Sequence, residues 1–214
     1  MNKLIWLLVT PLLITTAVMA QTVHHIPFAS SGNTIELAIE NSSTTPASSV
    51  SVELKSIPSW LKFSGVRQVI QKIDPQTARS VLFIFAVEKF TPVNRPIPLQ
   101  FEIRTQDGQT WTKTITLSVS PPETFELSQN YPNPFNPATT ITFQLPEDAR
   151  VSLKIFNLLG QEVATLIDGE KQAGYHAQAW NANAFASGMY IYQLISNDDR
   201  GSRTLSRKTM LLVK

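Results

Sequence analysis

From Thr34 onward the apolar residues of this chain recur at every second position, and no stretch sustains the i, i+3, i+4 stripe of a helix. Alternation by two places one set of side chains on a single face of a sheet, turned toward a core. "TIELAIE" carries Ile35, Leu37 and Ile39 in this way, and "SVSVELK" carries Val50, Val52 and Leu54. "RSVLFIFAVE" aligns Val81, Phe83, Phe85 and Val87, and "IPLQFEIRT" aligns Ile97, Leu99, Phe101 and Ile103. "TWTKTITLSV" puts Trp111, Ile115, Leu117 and Val119 on one side, and "VRQVIQKI" reads as a further short strand. Asp107-Gly108 lies between the fourth and fifth of these segments and predicts a two-residue hairpin with a primed turn. Short strands at this density predict an immunoglobulin-like (Ig-like) sandwich.

A second set of strands follows Pro121-Pro122, where proline ends the ladder. "TTITFQL", "RVSLKIF", "LLGQEVATLI", "AGYHAQAW", "SGMYIYQLI" and the closing "TLSRKTMLLVK" again alternate, in a segment short enough for one small sandwich. The two halves share a class but not a sequence. The expected fold is therefore all-β, with two small Ig-like β-sandwich domains in tandem after a cleaved signal peptide. The expected divisions are a leader over 1–20, a first domain over 21–120, a Pro/Asn-rich linker over 121–137 and a second domain over 138–214.

The leader is read from Lys3, the apolar run Leu4 to Val18, and the small residues Val18 and Ala20, which predict cleavage between Ala20 and Gln21. The run contains Pro11 and is shorter than the ~20 residues of a membrane span. The chain has no cysteine, so disulfides and thiolate metal sites are excluded and each domain must be held by its core. With 43% hydrophobic and 16% charged residues, a folded core is expected. The net charge of +2 is small and its basic residues are dispersed, which argues against a nucleic-acid partner.

Between the two strand sets stands "NYPNPFNP": Asn130, Tyr131, Pro132, Asn133, Pro134, Phe135, Asn136 and Pro137. Three prolines fix φ and remove backbone donors, so the segment is stiff and unable to form an inner strand. It reads as a spacer whose two aromatics lie on the second domain, or as an epitope that a partner reads directly. Gly160, Gly174 and Gly188 fall at turns or strand entries. Trp180 is expected in the core, and Tyr190 and Tyr192 half-buried with wet hydroxyls. Lys208, Leu211, Leu212, Val213 and Lys214 end the chain as an apolar strand flanked by charge.

Chemistry-bearing residues are sparse. His24-His25 read as part of a mobile leader and His176 as a sheet-surface side chain. Glu147-Asp148 and Asp198-Asp199 read as turn charges without a fuller oxygen-ligand loop for calcium. No triad spacing or phosphate loop appears, so no enzyme, cofactor or metal is expected. Trp60, Phe63, Phe90 and Trp111 are candidates for a sugar-stacking platform or for core packing.

Two resemblances follow. "LSQNYPNPFNPATTITFQLPE", "VSLKIFNLLGQEVATLIDGEKQAGYHAQAWNA" and "ASGMYIYQL" closely resemble the type A C-terminal sorting domain of the type IX secretion system, a family with an Ig-like layout shared with FlgD-type domains. The resemblance spans about residues 126–214. It implies Sec export, outer-membrane translocation directed by this domain, removal by a processing enzyme, and possible attachment of the passenger to surface lipopolysaccharide. It also implies that export machinery reads the C-terminal end. Residues 33–119 resemble the CARDB-like Ig modules appended to bacterial secreted proteins. Their implied role is a non-enzymatic interaction or adhesion passenger with a protein or glycan ligand; the alternative is a polysaccharide-binding accessory working with a separate hydrolase.

Overall fold

The computed structural model describes residues 4–9 by their backbone, and residues 22–198, 201 and 203–214 in full. The structure is all-β, with no helix among the described residues. It divides into two compact units, Met1–Ser120 and Pro121–Lys214.

The first unit holds β1 (Leu4–Val9), β2 (Val23–Ile26), β3 (Asn33–Asn41), β4 (Ala47–Lys55), β5 (Leu61–Phe63), β6 (Arg67–Ile73), β7 (Thr77–Val87), β8 (Pro96–Arg104) and β9 (Thr110–Val119). One sheet runs β1-β3-β7-β5 and the other β2-β9-β8-β4-β6. Apart from Ile97 and Trp111, the residues singled out by alternation form the core between them: Ile35, Leu37, Phe83 and Phe85 from one sheet pack with Val52, Leu99, Phe101 and Leu117 from the other. Phe83 and Phe101 meet across the layers with ring centroids 5.2 Å apart.

Two expectations change here. "VHHI" is β2, an ordered strand paired in parallel with β9 from Val23↔Thr116 to Ile26↔Val119, so His24-His25 do not belong to a mobile leader. Ile26 is fully buried, and burial holds the half-buried His24 below its ordinary pKa. The hairpin between β8 and β9 is longer than two residues. Thr105 donates to Gln109 O and Gly108 to Thr105 O, and positive φ occurs at Gly108 but not at Asp107, whereas a type I′ turn needs two such residues. Leu4–Val9, expected in the leader, pairs in parallel with β3 from Leu4↔Thr34 to Val9↔Ile39. The cleavage pair Ala20–Gln21 lies outside the described residues.

The second unit holds β10 (Glu126–Leu127), β11 (Ala138–Leu145), β12 (Ala149–Phe156), β13 (Glu162–Lys171), β14 (Gly174–Asn181), β15 (Gly188–Asp198) and β16 (Arg203–Leu212). Its sheets run β10-β11-β14 and β13-β12-β15-β16. Ile141, Phe143 and Leu145 of the first sheet close on Val151, Leu153, Ile155 and Leu194 of the second, all fully buried. The β12–β13 turn is built by Asn157, whose Oδ1 accepts from Leu159 N and Gln161 N, while Gly160 takes φ 78°.

Candidate functional site

The proline-rich segment is part of the second fold rather than a spacer outside it. Before it, β10 already pairs with β11. Within it, Asn130 and Phe135 are buried and the four residues between them are exposed. Asn130 is buried: its backbone N–H donates to Tyr192 Oη (2.9 Å), and its Nδ2 donates to Pro132 O (3.0 Å) and Thr139 Oγ1 (2.9 Å). Tyr131 exchanges both backbone hydrogen bonds with Thr140, yet its ring is 82% exposed. Phe135 is buried against Trp180, with ring centroids 5.5 Å apart. So one aromatic lies on the second unit as expected, and the other points to solvent. Proline-imposed φ explains why the segment contributes isolated bridges instead of a ladder.

The same segment grips the chain's end. Phe135 N donates to Leu211 O and Val213 N donates to Phe135 O, both at 3.0 Å. Asn133 Oδ1 accepts from Leu211 N at 2.9 Å, and Gln129 Nε2 donates to Thr209 O at 2.7 Å. β16 is thus paired with β15 on one side and clasped at its end by "NYPNPFNP" on the other. Leu212 and Met210 enter the core, whereas Leu211 and Val213 face outward. Lys214 is tied by its N–H to Ser187 Oγ (3.1 Å) and by Nζ to Asn183 O (2.6 Å). Lys208 is partly exposed on β16.

Trp180 sits in the core as expected, meeting Phe135, Phe185 and Tyr190 at 5.5–5.6 Å. Tyr190 and Tyr192 are buried rather than half-wet. Tyr190 Oη donates to Ala186 O, and Tyr192 Oη donates to Ser128 O (2.8 Å) while accepting from Asn130. Burial pushes the Tyr192 phenol up to about 12, outweighing the opposing hydrogen bond from Asn130. This hydroxyl, anchoring the entrance to "NYPNPFNP", could not be found from alternation, which says which face a residue takes but not what its polar tip meets. Gly160, Gly174 and Gly188 all take positive φ.

The family model of the secretion system C-terminal sorting domain matches residues 129–208.

Over this stretch the chain is similar to the type IX secretion C-terminal sorting domain.

The match begins one residue before Asn130 and ends inside β16, so it takes in "NYPNPFNP" and the first part of β16. No curated protein matches the chain. Among solved structures, the chain is similar to the CupB2 chaperone of Pseudomonas aeruginosa, at 12% identity over 89% of this chain and 98% of that one, with a TM-score of 0.28. The E. coli chaperone DraB is similar at 16% identity over 90% and 95% of the two chains, with a TM-score of 0.32. Dimeric latent PorU from Porphyromonas gingivalis is similar at 11% identity over 92% of this chain and 19% of its own, with a TM-score of 0.36. These likenesses are too loose to carry an argument about this chain.

The remaining candidates are scattered. His176 lies not on the sheet surface but on the inner face of edge strand β14, stacked on Phe143 at 5.0 Å, with Nε2 against Gln172 O at 2.8 Å. Burial holds its pKa below the usual value, against the raising effect of the Gln172 carbonyl and with a smaller lowering by Lys171. Asp148 Oδ1 accepts from Ala173 N at 2.8 Å, a turn brace; Asp199 lies outside the described residues. Among the described residues no cluster of three metal-ligating side chains occurs. In the first unit the four aromatics do not form one platform. Trp60 and Phe63 pack against one end of the core, and Glu88 N donates to Trp60 O two residues before the exposed Phe90. Trp111 stands at the opposite end.

Proposed function

We propose that the second unit carries the first across the outer membrane to the cell surface or the extracellular space, and that the first unit is a non-enzymatic binding or adhesion module. The match of residues 129–208 to the sorting-domain family carries the export half of this reading. The leader ahead of Gln21 supplies the first export step, the type IX translocon and its processing enzyme are the partners of the second, and lipopolysaccharide is the candidate anchor. The test is fractionation of a bacterium with a working type IX system, followed by mass spectrometry of the surface form. The protein should appear outside the outer membrane and lack the sorting domain. In cells without the translocon it should stay periplasmic and intact. Delivery that is indifferent to the translocon would overturn the reading.

A further inference from the structure

The two ends of the first sandwich are finished differently. Where β3 begins and β7 and β9 end, Phe28, Ile57, Trp60, Phe63 and Val93 pack onto the core as a plug. At the other end nothing comparable closes the sheets among the described residues. The last inner-face residue of β3 is Asn41, whose amide is spent on Thr45 O (2.8 Å) and Ile73 O (3.0 Å) rather than on filling space. Ser49 of β4 takes φ 49° and drops out of the ladder with β6. A cavity of about 550 Å3 results, within the range of small-molecule sites.

We propose that this open end is a binding site for a neutral carbohydrate, with Trp111 as its stacking surface. The proposal rests on reading the first unit as a binding module. Trp111 pairs with Ile103 across β8–β9, so its side chain takes the inner face at the mouth, one row beyond the sealed core. It is 37% exposed there and Lys113 on the same face is half-buried, whereas Ile115, Leu117 and Val119 farther along that face are buried. A sugar ring has one apolar C–H face and a rim of hydroxyls. The cavity offers the matching halves: Ile39, Val50, Ile73 and Ile103 at its base with the indole as a wall, and amides, hydroxyls and carboxylates around its edge. Among the edge side chains, that of Gln106 in the β8–β9 loop makes no hydrogen bond within the described residues, so its polar atoms are available to a ligand.

The edge is also held in place before any ligand arrives. Gln76 Nε2 donates to Ser42 O (2.6 Å) and Ser43 O (3.2 Å), bracing one loop. Asp107 accepts from Thr105 Oγ1 and from Gln109 Nε2, bracing the other. Such bracing lowers the ordering cost of binding. Charge selects the ligand class. The described lining includes the Asp107 carboxylate and no lysine or arginine, so phosphates and uronic acids are disfavoured.

The test is titration of the full-length chain, by calorimetry and tryptophan fluorescence, with four neutral hexasaccharides: cellohexaose, maltohexaose, mannohexaose and chitohexaose. At least one should bind saturably at millimolar concentration or below. Trp111→Ala should weaken that binding at least tenfold, and Gln106→Ala severalfold, with circular dichroism unchanged. Trp111→Phe should restore part of it. Binding by none of the four would overturn the proposal, as would equal binding by Trp111→Ala. Displacement of the sugar by decanoate, or saturable decanoate binding in its place, would make the site a lipid pocket and also overturn it. Adhesion to cells or proteins that survives Trp111→Ala would retain the binding-module reading while removing this site. Loss of all adhesion and all sugar binding in the unaltered chain would remove both.

Discussion

Tyr131 and Phe135 are four positions apart, belong to the same motif and have opposite energetic weight. The exposed Tyr131 ring contributes to no core, so Tyr131→Ala should change stability by no more than about 0.5 kcal/mol. Phe135 fills space beside Trp180, so Phe135→Ala should cost about 3–5 kcal/mol. Urea denaturation followed by Trp180 fluorescence separates the two; equal effects would mean that the motif does not sit as described. His176 sets a pH dependence. Its folded pKa is depressed below 6.5, so the unfolded chain binds the proton more readily. Stability from this group is present above 6.5 and is lost as pH falls through and below that value. Thermal melts of the sorting domain should shift downward between pH 7.5 and 5.5, and His176→Gln should flatten that shift. A melt that rises on acidification over this range would contradict the buried, neutral ring.

Among the elements, β16 does two jobs that a truncation cannot separate. Its inner residues Met210 and Leu212 belong to the core, and its end is clasped by Phe135 and Asn133. Deleting the last ten residues therefore removes most of a core strand along with any signal read at that end. Such a chain should lose cooperative unfolding as well as surface delivery. The double substitution Leu211→Thr and Val213→Thr changes outward side chains and leaves the backbone bonds in place. It should melt within a few degrees of the parent, a surface-substitution effect. If export machinery reads the C-terminal end, this variant should nonetheless accumulate in the periplasm. Normal delivery of the double variant would move recognition elsewhere on the sorting domain.

The whole molecule carries two separate cores, one around Phe83 and Phe101 and one around Phe143 and Trp180. With no cysteine to staple either, each stands on its own burial. Phe101→Ala and Phe143→Ala should each cost about 3–5 kcal/mol, and each should lower a different calorimetric transition. Their effects should add in the double variant, because the sites share no core. A single transition that both substitutions lower equally would contradict two independent cores.

Much of this organisation was legible because strand periodicity is local. The inner-face residues of β3, β4, β7, β8, β9, β11, β12 and β15 follow from alternation alone, since adjacent side chains must point to opposite faces. The sorting signature was legible too, as a run of residues. β2 escaped because four residues with two histidines carry too little pattern, and the β8–β9 turn was misjudged because Asp-Gly also suits a longer loop with one left-handed glycine. Only the tertiary structure decided which strands share a sheet, that "NYPNPFNP" closes over the end of β16, and that Trp111 stands at the end of the sandwich opposite the one Trp60 helps seal. Those outcomes depend on contacts between residues far apart in the chain, and alternation specifies a face without specifying its neighbour.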